Sequence, residues 1–372
     1  MKDIRKKIVK KIKRIVVKVG SAVIADGREK SIFERLAQDI HAITGAGKEA
    51  IVVSSGAVAL GMKRLGLKKR PVSIPERQAI AAVGQGSLMA HYDGAFGRHF
   101  ETAAQVLLTH DDFSDRKRFL NARNTLLTLL DFGIIPVINE NDTVAVEEIK
   151  FGDNDALSDL TTNLIEADML VILTDIDGLY DKDPRKGAGA KMLSIVDDVD
   201  SLAVDLGGQG SVFGTGGMRS KCDAARKAAH FGIPTIITTG FEEGILGRIL
   251  EGEPVGTLFL PKEDKLTSWK HWIAFSTRPS GRVFVDDGAR DALLNKGKSL
   301  LPSGIKEVDG SFDAGEVIHC VDAKGMEFAR GLSNYSSEEI KKIKGAKTKE
   351  IETILGYKSF DEVIHRNNLV VM

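Results

Sequence analysis

The sequence predicts an α/β protein: a largely parallel sheet sandwiched by helices, followed by a small, mostly β domain. Three observations predict it. Short apolar runs alternate with longer amphipathic ones from residue 15 onward, the pattern of parallel strands covered on both faces by helices. Polar and glycine-rich clusters follow the ends of these runs, where open α/β sheets bind their ligands. After Pro261 the strand-like pieces become short and turn-separated. A length of 372 residues allows two domains. They are placed at residues 15–265 and 273–372, with a basic extension at 1–14 and the linker at 263–272.

The extension, MKDIRKKIVKKIKR, carries Ile4, Ile8 and Ile12 at helical spacing, continued by Ile15. It reads as a short amphipathic helix or a solvated tail. No signal-peptide apolar core follows it, and no apolar run approaches the ~20 residues of a membrane helix. IVVKVG (15–20) is then a buried strand, with a helix near 32–44. AIVVSSGAV (50–58) is a second strand running into a glycine turn and another helix. QVLLT (105–109) and IIPVINEND (134–142) are strands, with 119–132 as the helix between them. MLVILTD (169–175) and PTIITTG (234–240) complete the set. In the second domain RVFVDDGA, SLLPSGIKEVDGSF, GEVIHCVD and EFARGLSNYS are strand-like, and 337–355 is helical. Lys+Arg and Asp+Glu balance at 52 each, so nothing global points to a nucleic-acid or membrane partner. The two cysteines, Cys222 and Cys320, have neither metal-ligand spacing nor a disulfide framework, which fits a reducing cytoplasm.

The chemistry is carried by the residues that end the strands. Lys18 lies inside an apolar strand beside Gly20 and is costly to bury unpaired, so it should point into a site at the strand's end. Ser54-Ser55-Gly56 is a donor-rich turn suited to a carboxylate or phosphate. Asn139-Glu140-Asn141-Asp142 and Phe151-Gly152-Asp153-Asn154-Asp155 are two clusters of acids and amides. Their acids would repel a phosphate and suit an ammonium group, a magnesium ion, or the orienting of lysines, while asparagine serves both α-groups of an amino acid. Thr174-Asp175 ends a strand and runs into IDGLYDKDPR. GTGGMRSK (214–221) precedes an amphipathic run at 222–231, so its glycine N–H groups and the helix start can hold an anion, with Lys221 aimed at it. This is not the GxxxxGK[ST] phosphate loop. The eight histidines are scattered, and no Ser-His-Asp triad is in view. Two lysines, a glycine loop and amide/acid clusters fit phosphoryl transfer by positioning and charge neutralisation. If the acceptor is a carboxylate, it is already ionised at pH 7 and no base is needed.

KVGS, VVSSGAVALG, LNARNTL, PVINEND, FGDND, LTDIDGLYDKDPR and GTGGMRSK, in this order, closely resemble the glutamate 5-kinase family of the amino acid kinase superfamily. The likeness runs through essentially the whole chain, including a C-terminal module that looks like a PUA domain. It implies ATP-dependent phosphorylation of the L-glutamate side-chain carboxylate to glutamyl 5-phosphate, the first step of proline biosynthesis, in the cytoplasm. By the same resemblance Lys18 and Lys221 would neutralise the transferring phosphoryl group from opposite sides, and Asp153 would hold those lysines in place. Ser55, Asp142 and Asn154 would bind glutamate, with Asn139 and Asp155 nearby. Thr174, Asp175 and the run Thr215, Gly216, Gly217, Met218, Arg219, Ser220 and Lys221 would cradle ATP, whose phosphates Mg²⁺ would bridge. A homo-oligomer, feedback inhibition by proline through the segment DDFSDRKRFLNARN, and hand-over to a glutamyl-phosphate reductase are also implied. Ser220 stands where threonine is common in the family, and keeps the hydroxyl.

Three rival readings remain at this point, one of them a regulator that keeps the fold but not the activity, which the presence of both lysines and both acid clusters disfavours. Another kinase of the same fold, acting on acetylglutamate, aspartate or UMP, is disfavoured by the PUA-like tail and the FGDND cluster. An RNA-binding role for the tail is disfavoured by its charge: residues 273–372 hold 15 Lys+Arg against 15 Asp+Glu, with no basic stripe.

Overall fold

Strand β1 (Arg14–Val19) lies in the middle of the main sheet, flanked in parallel register by β2 (Glu49–Ser54) and β5 (Met169–Thr174). The computed structural model describes residues 2–25, 29–69, 71–145, 154–182, 189–200, 202, 217–262 and 280–372. By its internal contacts the chain divides into two units, Met1–Glu263 and Asp264–Met372. The linker expected at 263–272 lies outside the described residues.

Among the described residues, the sheet of the first unit has eight strands in the order β3-β4-β2-β1-β5-β7-β8-β6. The remaining strands are β3 (Ala103–Leu108), β4 (Ile135–Glu140), β6 (Ile195–Val196), β7 (Thr235–Thr239) and β8 (Thr257–Phe259). Every neighbouring pair is parallel except β7 with β8. This antiparallel edge has no counterpart in the sequence reading, because runs of two and three residues carry no detectable period.

Alternation along β1 sorts its side chains onto two faces. Ile15, Val17 and Val19 join a core with α3 (Glu29–Gly45), α4 (Ala57–Arg64), α5 (Ile74–Phe96) and α10 (Ile245–Leu250). Val16 joins the opposite core with α7 (Arg116–Asp131), α8 (Asn154–Leu164) and α9 (Met218–His230). Lys18 shares the parity of Val16, so the strand aims it at α8 and α9. The same rule sends Ser54 and Asn139, which share parity with Val52 and Val137, toward α5.

The N-terminal segment forms helix α1 (Lys2–Val9) and is tied down rather than solvated. Arg5 is 2% exposed, and its guanidinium donates to the carbonyls of Val255 (2.7 Å), Ser194 (2.8 Å), Gly256 (3.1 Å) and Glu253 (3.4 Å).

The second unit holds a five-stranded sheet in the order β10-β9-β11-β12-β13. Its strands are β9 (Gly281–Val285), β10 (Ile305–Gly310), β11 (Val317–Val321), β12 (Glu327–Leu332) and β13 (Leu369–Val371). All pairs are antiparallel except β9 with β11. The single helix expected at 337–355 is two, Ser337–Ile343 and Ile351–Leu355. They are separated because Lys344 turns extended, at ψ 134°. Cys222 and Cys320 are free and fully buried, and burial pushes both thiols up to about 12. Among the described residues no helix is long and apolar enough to cross a membrane.

Candidate active site

Three buried charges meet where β1 ends and α8 and α9 begin. Lys18 comes from β1, Asp155 from the first turn of α8, and Lys221 from the first turn of α9. Their exposures are 3%, 0% and 6%, so solvent does little to screen them. Lys18 Nζ donates to Asp155 Oδ1. Lys221 Nζ lies 3.1 Å from Asp155 Oδ2, and Ser220 Oγ donates to the same oxygen at 2.6 Å. Burial by itself would push the Asp155 carboxyl up. The charges of Lys18 and Lys221, with the hydrogen bonds from Lys18 and Ser220, outweigh it and hold the group well below the usual carboxylate range. Asp155 is therefore a fixed anion that draws two ammonium groups to one point and leaves the trio with a net positive charge.

A second group of side chains forms an amide pocket over the ends of β2 and β4. Asn154 Nδ2 lies 2.9 Å from the Ser54 carbonyl, 3.0 Å from Ser55 Oγ and 2.8 Å from Asn139 Oδ1. Asn139, 2% exposed, also accepts from the Glu140 N–H at 2.9 Å and donates through Nδ2 to Gln85 Oε1 at 2.8 Å. Tyr92 OH from α5 donates to Ser54 Oγ at 2.8 Å. Gly56, at φ 102°, turns the chain from β2 into α4, and this left-handed conformation favours glycine. Asp142 is half-buried in the turn after β4.

On the other side of β1, Thr174 ends β5, is 3% exposed, and donates to Asp175 Oδ1 at 3.0 Å. The Thr174 carbonyl accepts from the Gly240 N–H at 2.8 Å. Helix α9 opens at Gly217, which has no side chain with which to cap it. The N–H groups of Met218, Arg219 and Ser220 and the helix dipole therefore suit an anion.

The structure thus brings Lys18, Lys221, Asp155 and Ser220 together, and Ser55, Asn154 and Asn139 together beside them. Asp153, Thr215 and Gly216 lie outside the described residues, as do 183–188 of the segment after Asp175. Asp155, expected near glutamate, pairs with both lysines; Asp153, expected to hold them, lies outside the described residues. Successive helical residues point about 100° apart, so at the start of α8 Asn154 faces β2 and β4 while Asp155 faces β1 and α9. Gln85 and Tyr92 escaped the sequence reading because they lie inside α5, away from any strand end, and a polar residue in a long helix carries no sequence signal.

A family profile described as the amino acid kinase family matches residues 13–239, and one described as the PUA domain matches residues 281–355. The carbamate kinase from Giardia lamblia bound to AMP-PNP has the same fold, with a TM-score of 0.51 at 17% identity over 68% of this chain and 99% of that one. The chain belongs to the amino acid kinase family, and within it to the glutamate 5-kinases. The glutamate 5-kinase of Geobacter metallireducens is 54% identical over 99% of this chain and 100% of its own length. That of Syntrophotalea carbinolica is 50% identical over 99% of each.

Proposed function

We propose that the chain transfers the γ-phosphoryl group of ATP to the side-chain carboxylate of L-glutamate, giving L-glutamyl 5-phosphate, the step that opens proline synthesis. The observation that carries this reading is the convergence of Lys18 and Lys221 on Asp155, next to a pocket of amides. A carboxylate oxygen of glutamate forms the new bond to the γ-phosphorus as the bond to the β–γ bridging oxygen breaks, and ADP leaves. Charge builds on the phosphoryl oxygens during this exchange, and preorganised cations stabilise it there. Asp155 is a positioning residue: held anionic, it keeps both ammonium groups in place and takes no proton. The acceptor, with a pKa of about 4.3, is ionised at pH 7 and needs no base.

Ser55, Asn154 and Asn139 would hold the carboxylates of glutamate, and Asp142 its ammonium group. Thr174, Asp175 and residues 215–221 would cradle ATP. Mg²⁺, when bound, would neutralise charge on the phosphates. Among the described residues no group of three His, Cys, Asp or Glu could hold a metal, and both oxygens of Asp155 are engaged. The same reading takes the chain as a proline-inhibited homo-oligomer that supplies a glutamyl-phosphate reductase, since an acyl phosphate is too reactive to accumulate.

ADP release from ATP and Mg²⁺ tests the proposal with L-glutamate, N-acetylglutamate, L-aspartate or UMP as acceptor, and hydroxylamine traps the acyl phosphate as its hydroxamate. Glutamate alone should raise the rate and yield hydroxamate. A rate independent of glutamate, or a preference for another acceptor, overturns it.

A further inference from the structure

A primary amide can be turned by 180° with almost no change of shape, so something must decide which way each asparagine of the pocket faces. For Asn139 the direction matters. With Oδ1 toward Asn154 it accepts from Asn154 Nδ2 at 2.8 Å and from the Glu140 N–H at 2.9 Å. Turned over, it would set one NH₂ group against two N–H donors. Its own Nδ2 donates to Gln85 Oε1 at 2.8 Å, and Gln85 Nε2 donates in turn to Gln105 Oε1 at 3.0 Å. Gln85 is itself firmly placed. Its neighbour Gly84 packs so tightly on α4 that a Cβ there would lie 1.7 Å from the Ala57 carbonyl oxygen. The chain of amides therefore runs from α5 through β4 to α8 and ends on Ser55.

We infer that Gln85 is a positioning residue for the amino-acid pocket: the Glu140 N–H sets which way the Asn139 amide faces, and Gln85, accepting from its Nδ2, holds that amide in place against Asn154. This rests on the proposed function, because it takes the amide pocket as the acceptor's site. Gln85 touches neither lysine nor Asp155 among the contacts described, so its loss should act on acceptor binding and leave phosphoryl transfer alone.

The test compares Gln85→Leu, which removes the acceptor for Asn139, with Gln85→Glu, which keeps an oxygen there. Gln85→Leu should raise the glutamate KM by up to about tenfold, the scale of one lost part-buried hydrogen bond. Its kcat, ATP KM and melting temperature should stay near those of the wild type, and Gln85→Glu should recover most of the glutamate KM. An unchanged glutamate KM in Gln85→Leu overturns the inference. So does a Gln85→Glu variant no better than Gln85→Leu, and so does a loss of kcat, ATP affinity and melting temperature together, which marks a merely structural role. Wild-type protein that neither phosphorylates glutamate nor binds it by calorimetry overturns the functional reading itself, and the inference with it.

Discussion

At Asp155 one carboxylate serves two buried ammonium groups, and removing its charge strips both of the ion pair it gives them. Breaking such a set by deleting one partner costs about 3–5 kcal/mol. Asp155→Asn should therefore lower stability by that order in urea titrations, and lower kcat by about a hundredfold or more as the lysines lose their common target. One turn further along α8, Asp159 is 2% exposed and its Oδ1 has no hydrogen-bond partner. Burial pushes it up to about 7, against the pull of Lys227. Its folded pKa thus lies above the unfolded value of about 3.9. Native protein keeps a proton that the unfolded chain has lost, so the contribution of Asp159 to stability is greatest below about pH 4, falls as pH rises toward 7, then levels off. Asp159→Asn removes this slope. Between pH 5 and pH 8 the variant should gain roughly 2–3 kcal/mol on the wild type in matched denaturation curves. An unchanged difference across that range would show that Asp159 is ionised throughout.

Helices α4 and α5 cross so closely that their contact is backbone on backbone. A Cβ at Gly84 would meet the Ala57 carbonyl, and one at Gly61 would lie 2.0 Å from the Ile80 carbonyl oxygen. Gly84→Ala should force the pair apart and cost about 1–3 kcal/mol, the usual range for overpacking. Because α4 starts at the Ser54–Gly56 turn, the glutamate KM should rise while the ATP KM stays unchanged. None of this crossing was legible in the sequence. The inner strands were, since burial on both faces leaves an unbroken apolar run such as IVV or LVIL. Their ends were legible too, because Lys18 and Asn139 are polar residues set into such runs. That Asp155 meets the lysines was not, as that depends on where α8 starts. The role of Arg5 was hidden for a different reason: a basic run looks the same whether it is solvated or aimed at buried carbonyls.

Taken as a whole, the chain has two units, each with its own hydrophobic core. Every site residue described falls within the first. A chain ending at Lys262 should fold and keep glutamate-dependent ADP release, whereas a loss of all turnover in a folded truncation would mean that the second unit completes the site. The Arg5 guanidinium joins α1 to the carbonyls just before β8 and β6, so removing residues 1–13 is a harsher cut than the basic composition suggests. The two sunken thiols bear on how such a molecule can be watched at work. Neither sulfur is accessible to maleimide chemistry in the native state. A cysteine introduced at Val72, which is 91% exposed, would therefore accept a single fluorophore without the natural pair first being engineered away.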